Sequence, residues 1–131
     1  MFRLPMCHQN SALFYQKIAY DDTYNAVANS DAEGERLARL LSGGKRVLMM
    51  ANHGVLVVGE SVAVALDELY YFERACAVTL AALSANRPLR PMSDDAARRV
   101  AAPRDDEREP YALAHCSALL RVHLAGTDFA E

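Results

Sequence analysis

The sequence has no tryptophan, an absence that excludes nothing alone, and other shortages say more. Three cysteines, Cys7, Cys76 and Cys116, form an odd set without paired spacing, which argues against a disulfide framework and for a reducing compartment. Charge of one sign is not in surplus: 14 basic residues face 17 acidic ones, for a net charge of −3. Binding to nucleic acid by counterion release normally needs a basic excess, so that class of partner drops out. No run approaches the ~18 consecutive apolar residues of a membrane span. Glu60, Asp67, Glu68, Glu73 and Arg74 interrupt the most apolar region. The opening Met-Phe-Arg-Leu-Pro-Met-Cys-His has no apolar core of the kind that marks a secretory signal. A cytoplasmic protein without membrane or nucleic-acid partners is the expectation. No repeat of fixed period and no low-complexity segment is visible.

What is present is 131 residues, 52% of them hydrophobic and 24% charged, enough for one domain with a buried core. Met1 to Ser11 reads as loop. A strand is predicted over Lys17 to Tyr20, where β-branched and aromatic residues alternate with others, and Asp21-Asp22 ends it. Asn29-Ser30-Asp31 offers caps for a helix over Ala32 to Ser42, with Leu37, Leu40 and Leu41 toward the core and Gly43-Gly44 as its stop. Val47 to Ala51 and Val55 to Val58 are short apolar runs separated by Asn52-His53-Gly54, a hairpin or a kinked continuation.

The strongest periodicity follows. Val62, Ala65, Leu66, Leu69, Phe72, Cys76, Leu80 and Leu83 recur at steps of three and four, predicting a helix from Val62 to Ala85 capped by Ser61. Beyond Pro88 a short helix over Asp94 to Ala102, capped by Ser93, is expected. Arg104 to Glu109 reads as a solvated charge run. A last helix over Tyr111 to Leu124 would place Leu113, Ser117, Leu120 and Leu124 on one face.

Few residues carry chemistry by spacing. On the tripeptide alone, His53 is either a turn histidine bonded to backbone or an imidazole aimed into a cleft, where it could ligate zinc or a similar ion. A metal site needs about three protein ligands. His8, His115 and His123 add none at chelating distance, since His115 and His123 stand roughly 12 Å apart along a helix. Glu73 is either a partly buried carboxylate paired with Arg74 or a helper near His53. Tyr70-Tyr71 reads first as packing. Adjacent Asp21 and Asp22 point to opposite faces of a strand and make no acid/base pair. Gly43-Gly44-Lys45-Arg46 lacks the frame of a phosphate loop, and no serine or cysteine has a nucleophile's context.

The segment Val47-Leu48-Met49-Met50-Ala51-Asn52-His53-Gly54-Val55-Leu56-Val57-Val58-Gly59-Glu60-Ser61-Val62 is followed by a helix bearing Ala65, Tyr70-Tyr71, Phe72-Glu73-Arg74-Ala75-Cys76 and Ala81-Ala82-Leu83. Together they resemble the class II aldolase/adducin family. Leu4-Pro5 and Ile18-Ala19-Tyr20-Asp21-Asp22 match the same family, so the resemblance covers Leu4 to Leu83, with an echo at Leu119-Leu120-Arg121 and a helical extension over 89–131.

The resemblance implies a three-layer α/β/α sandwich with a mostly antiparallel sheet, a homotetramer, and active sites between subunits. In the family three histidines hold a divalent metal, commonly zinc, that stabilises an enediolate while a carboxylate moves protons, and small sugar phosphates are cleaved or epimerised. Adducin-like members are non-catalytic interaction modules. Only His53 maps onto a family metal ligand. The family's His-x-His pair and acid find no counterpart, so the expectation is an incomplete, C-terminal portion of the fold, over residues 1–131, with an open sheet edge and an exposed apolar face.

Overall fold

The computed structural model describes residues 2–23 and 29–126, except the side chains of 104–106. Eight elements follow one another: α1 (Gln9–Ala12), β1 (Ile18–Asp21), α2 (Asp31–Leu40), β2 (Val47–Met50), β3 (Gly54–Val57), α3 (Val62–Ser84), α4 (Asp94–Asp106) and α5 (Arg108–His123). The strands form one mixed sheet in the order β1-β2-β3. β1 pairs parallel with β2, Ile18 opposite Val47, and a parallel pair requires a crossover, which α2 provides. β2 and β3 pair antiparallel, Val47 opposite Val57, so the two apolar runs make a hairpin. Half of the strand pairing is therefore parallel.

Strand alternation turns Ile18, Val47, Val55 and Val57 to one face. That face packs on Phe72 and Ala75 of α3, together with Leu4 and Phe14. Phe14 and Phe72 meet edge to face with ring centroids 5.3 Å apart. Ala19 and Leu48, on the opposite face, are buried too.

Helix starts follow the caps. Ser30, Ser61 and Ser93 accept from the backbone N–H of Glu33, Val64 and Ala96. Gly59 matters for close approach: a Cβ there would stand 2.8 Å from the backbone nitrogen of Ala65, so the end of β3 lies hard against the first turn of α3.

Several expectations are corrected. Residues 9–12 form α1, a single turn capped reciprocally by His8 and Ser11, where loop was expected. Asp21 is the last residue of β1 instead of a turn residue. α2 buries nothing completely; Leu37, Leu40 and Leu41 are half-buried. In α3 the buried stripe runs through Val64, Asp67, Glu68, Phe72, Ala75 and Thr79, whereas Val62 is 84% and Leu80 60% exposed. The expected stripe was rotated because hydropathy alone does not anticipate that two carboxylates go inside. Arg104 to Glu109 is not a solvated loop: its backbone belongs to α4 and α5, and Arg108 is half-buried. α5 turns Ala112, His115 and Cys116 inward, and Leu113, Ser117 and Leu120 face out. Residues 127–131 of the expected extension lie outside the described part. No helix among the described residues is long and apolar enough to cross a membrane.

The core makes a direct prediction. Phe72→Ala removes the ring that joins α3 to the sheet and to Phe14, and should cost about 3–5 kcal/mol of unfolding free energy in urea denaturation.

Candidate functional site

The hairpin turn is built by its sequence. Ala51 donates its N–H to the Asp21 carbonyl at 2.9 Å, carrying the β1–β2 pairing one residue past β2. Asn52 then takes the left-handed conformation (φ 58°), which asparagine tolerates better than most residues. His53 donates its N–H to the Met50 carbonyl at 3.3 Å, and Gly54 opens β3 at φ 151°, a conformation that suits glycine. The result is a fixed turn whose His53 side chain is exposed.

Beside that turn, at the end of β1, sits a buried carboxylate. Arg36 of α2 reaches Asp21 Oδ2 at 2.5 Å and grips Glu33 through two nitrogens, at 2.7 and 2.8 Å. The Thr23 N–H donates to Asp21 Oδ1 at 3.1 Å. The hydrogen bond from Arg36 is the main cause that holds the Asp21 carboxyl below its ordinary range, against the opposing effect of burial. Asp22 turns the other way, exposed, to Arg3. The two aspartates thus serve separate pairs, as their alternation on a strand requires.

The other candidates disperse. Glu73 is exposed on α3, and its charge adds to the burial that pushes the Cys76 thiol up. No hydrogen bond joins Glu73 to His53 among the described residues. Tyr71 is half-buried against the core, and Tyr70 is exposed. His8 Nε2 stands 3.3 Å from both the Ala75 carbonyl and Thr79 Oγ1, which ties α1 to α3. Among the described residues no group of three His, Cys, Asp or Glu side chains could hold a metal ion. His53 is thus not part of such a group among the described residues.

One pair escaped the sequence reading. His115 Nδ1 lies 2.7 Å from Asp67 Oδ1, with Tyr70 edge-on to the imidazole at 4.7 Å and Tyr71 tilted at 5.8 Å. Asp67 is 1% exposed. Forty-eight residues separate the partners, and no local pattern announces such a contact. The Arg36–Asp21 pair is equally invisible in a strand-then-helix reading.

Comparison with known proteins places the chain. Residues 2–80 match the model of the Class II Aldolase and Adducin N-terminal domain, and the chain belongs to that family. A Caulobacter vibrioides protein named for the class 2 aldolases is 39% identical over 79 residues, 60% of this chain and 30% of that protein. Human beta-adducin is 31% identical over 81 residues, 62% of this chain and 11% of the adducin. The crystal structure of an aldolase II superfamily protein from Pseudomonas syringae superposes with a TM-score of 0.84 at 33% identity, over 98% of this chain and 51% of that one. The chain thus spans less than a third of these two relatives and about half of the solved neighbour.

Two outcomes are expected here. Because Asp21 has its carboxyl lowered in the folded state, its stabilisation is complete above the unfolded carboxylate value near ~4 and is lost as pH falls through the lower folded value. The gap in urea midpoint between the native protein and Asp21→Asn should therefore be widest near neutrality and close under acid. His115→Ala should lower unfolding free energy by about 1–3 kcal/mol, because a buried Asp67 oxygen loses its donor.

Proposed function

We propose that this chain is part of a class II aldolase-type unit in which His53 supplies one ligand to a divalent metal, zinc by family resemblance, with the remaining ligands coming from outside the described residues. The reaction class would be aldol cleavage or epimerisation of a small sugar phosphate in a cytoplasmic homotetramer. Within the complete unit the β1-β2-β3 sheet would belong to a three-layer sandwich whose sheet is mostly antiparallel. The observation that carries this reading is the hairpin: Asn52 and Gly54 take conformations suited to their residue types, and the turn they make presents an exposed imidazole in a segment inside the family match. Glu73 would assist only if a neighbouring subunit folds over it, since in this chain it faces solvent.

A second reading has its own support. The beta-adducin similarity and the exposed Val62, Leu80 and Val122 suit a non-catalytic interaction module.

Zinc analysis after gel filtration separates the two. The purified chain should retain no stoichiometric zinc and release no aldehyde from sugar phosphates. Mixed with a separately expressed family segment that carries a His-x-His pair, it should acquire bound zinc, and His53→Ala should abolish the gain. Assembly without zinc favours the interaction module. Tight zinc and turnover by the chain alone would overturn the incomplete-site reading.

A further inference from the structure

Between α3 and α4 the chain reads Arg87-Pro88-Leu89-Arg90-Pro91-Met92-Ser93 and forms neither helix nor strand. Residue type dictates its conformation. Each proline locks its own φ at roughly −65° and pushes the residue before it, here Arg87 and Arg90, out of the helical region toward extended backbone. Ser93, the cap of α4, closes the segment at φ −65° and ψ 152°, inside the polyproline II region.

Burial follows the period of that conformation. Polyproline II has about three residues per turn, so side chains three positions apart share an edge. Leu89 and Met92 are half-buried, whereas Arg87 and Arg90 are exposed, and so are Pro88 and Pro91. One edge therefore lies on the protein, and the other two, one of arginines and one of prolines, face solvent. The inward edge is fastened: the Met92 N–H donates to the Met6 carbonyl at 2.7 Å, and Met6 packs on the core. At the other end Asn86, at φ 51°, turns the chain out of α3. Among the described residues Arg87 and Arg90 make no hydrogen bond or ion pair.

A polyproline II segment makes no hydrogen bonds within itself and arrives with its shape set, which is what proline-reading domains take up. We propose that residues 87–91 are a docking segment for a protein domain whose aromatic-lined groove reads P-x-x-P and is flanked by carboxylates, as in SH3 domains. The two Arg-Pro dipeptides, three positions apart, fill successive places along such a groove. Leu89, the residue between them, points back to its own protein and leaves the groove unobstructed. Proline rings lie on aromatic faces while the guanidiniums meet the carboxylates, so charge selects an acidic groove over a neutral one. A purely anionic partner would use the two arginines and leave the spaced prolines idle. With α3 and α4 holding both ends, docking orders little chain and loses little entropy.

This protein has no tryptophan, so the groove tryptophan of a purified SH3 domain reports docking without background. Titrating the full chain into that domain should give a saturable fluorescence change, weaker as salt is added. Pro91→Ala should weaken binding about tenfold, since it removes both the ring and the fixed φ. Arg90→Gln should weaken it too, and should have no effect against an SH3 domain whose groove carboxylates are changed to amides. Arg98→Gln, an equal charge change on the exposed side of α4, should leave the affinity as it is. Each variant should keep the far-UV circular dichroism of the native protein; if Pro91→Ala does not, Arg90→Gln carries the test alone. Absence of saturable binding, equal weakening by Arg90→Gln and Arg98→Gln, or undiminished binding to the amide-substituted groove overturns the proposal.

Discussion

The seating of α3 on the sheet organises this molecule. Phe72 stands edge-on to Phe14 and closes over Ile18 and Val47, so one ring joins the loop before β1, two strands and the longest helix. The same helix buries Asp67 and Glu68 side by side. Neighbouring carboxylates inside a fold need partners at once, and they come from different elements: His115 of α5 for Asp67, and Arg46, next to β2, for Glu68. Apolar contact fixes how close α3 sits, and the paired charges fix its rotation and how α5 lies on it.

The candidate chemistry stands at one end of the sheet for a backbone reason. β1 and β2 run parallel, so their C-terminal ends coincide, and the Asp21 carbonyl holds the start of the turn that carries His53. That end presents an exposed imidazole beside an aspartate neutralised by Arg36. The other end of β2 is preceded by Lys45 and Arg46, so a strand of four residues separates the exposed imidazole from these two cations.

Much of this was legible in the chain, and what was not has specific causes. Ser30, Ser61 and Ser93 were readable as caps because serine before a helical pattern has a local bond to make. The hairpin was readable from two apolar runs flanking Asn-His-Gly. The inward face of α3 was not, since Asp67 and Glu68 are tolerated inside only by residues far along the chain, while Val62 and Leu80 remain outside. α1 is too short to leave a periodic trace. In Arg104 to Glu109 the composition suggested solvent, yet Arg108 lies between two carboxylates that the sequence places 48 and 40 positions away. The family was recognisable because its signature is local, running from β2 into α3. The Asp67–His115 contact was not, because partners 48 positions apart leave no local signature.

The tight fit of residue 59 has a mechanical consequence. With no room for even a methyl group between the end of β3 and the first turn of α3, that junction lacks the slack of a hinge. Any side chain at that position would have to push the chain that leaves the hairpin away from the start of the long helix, so the two are held at a fixed spacing.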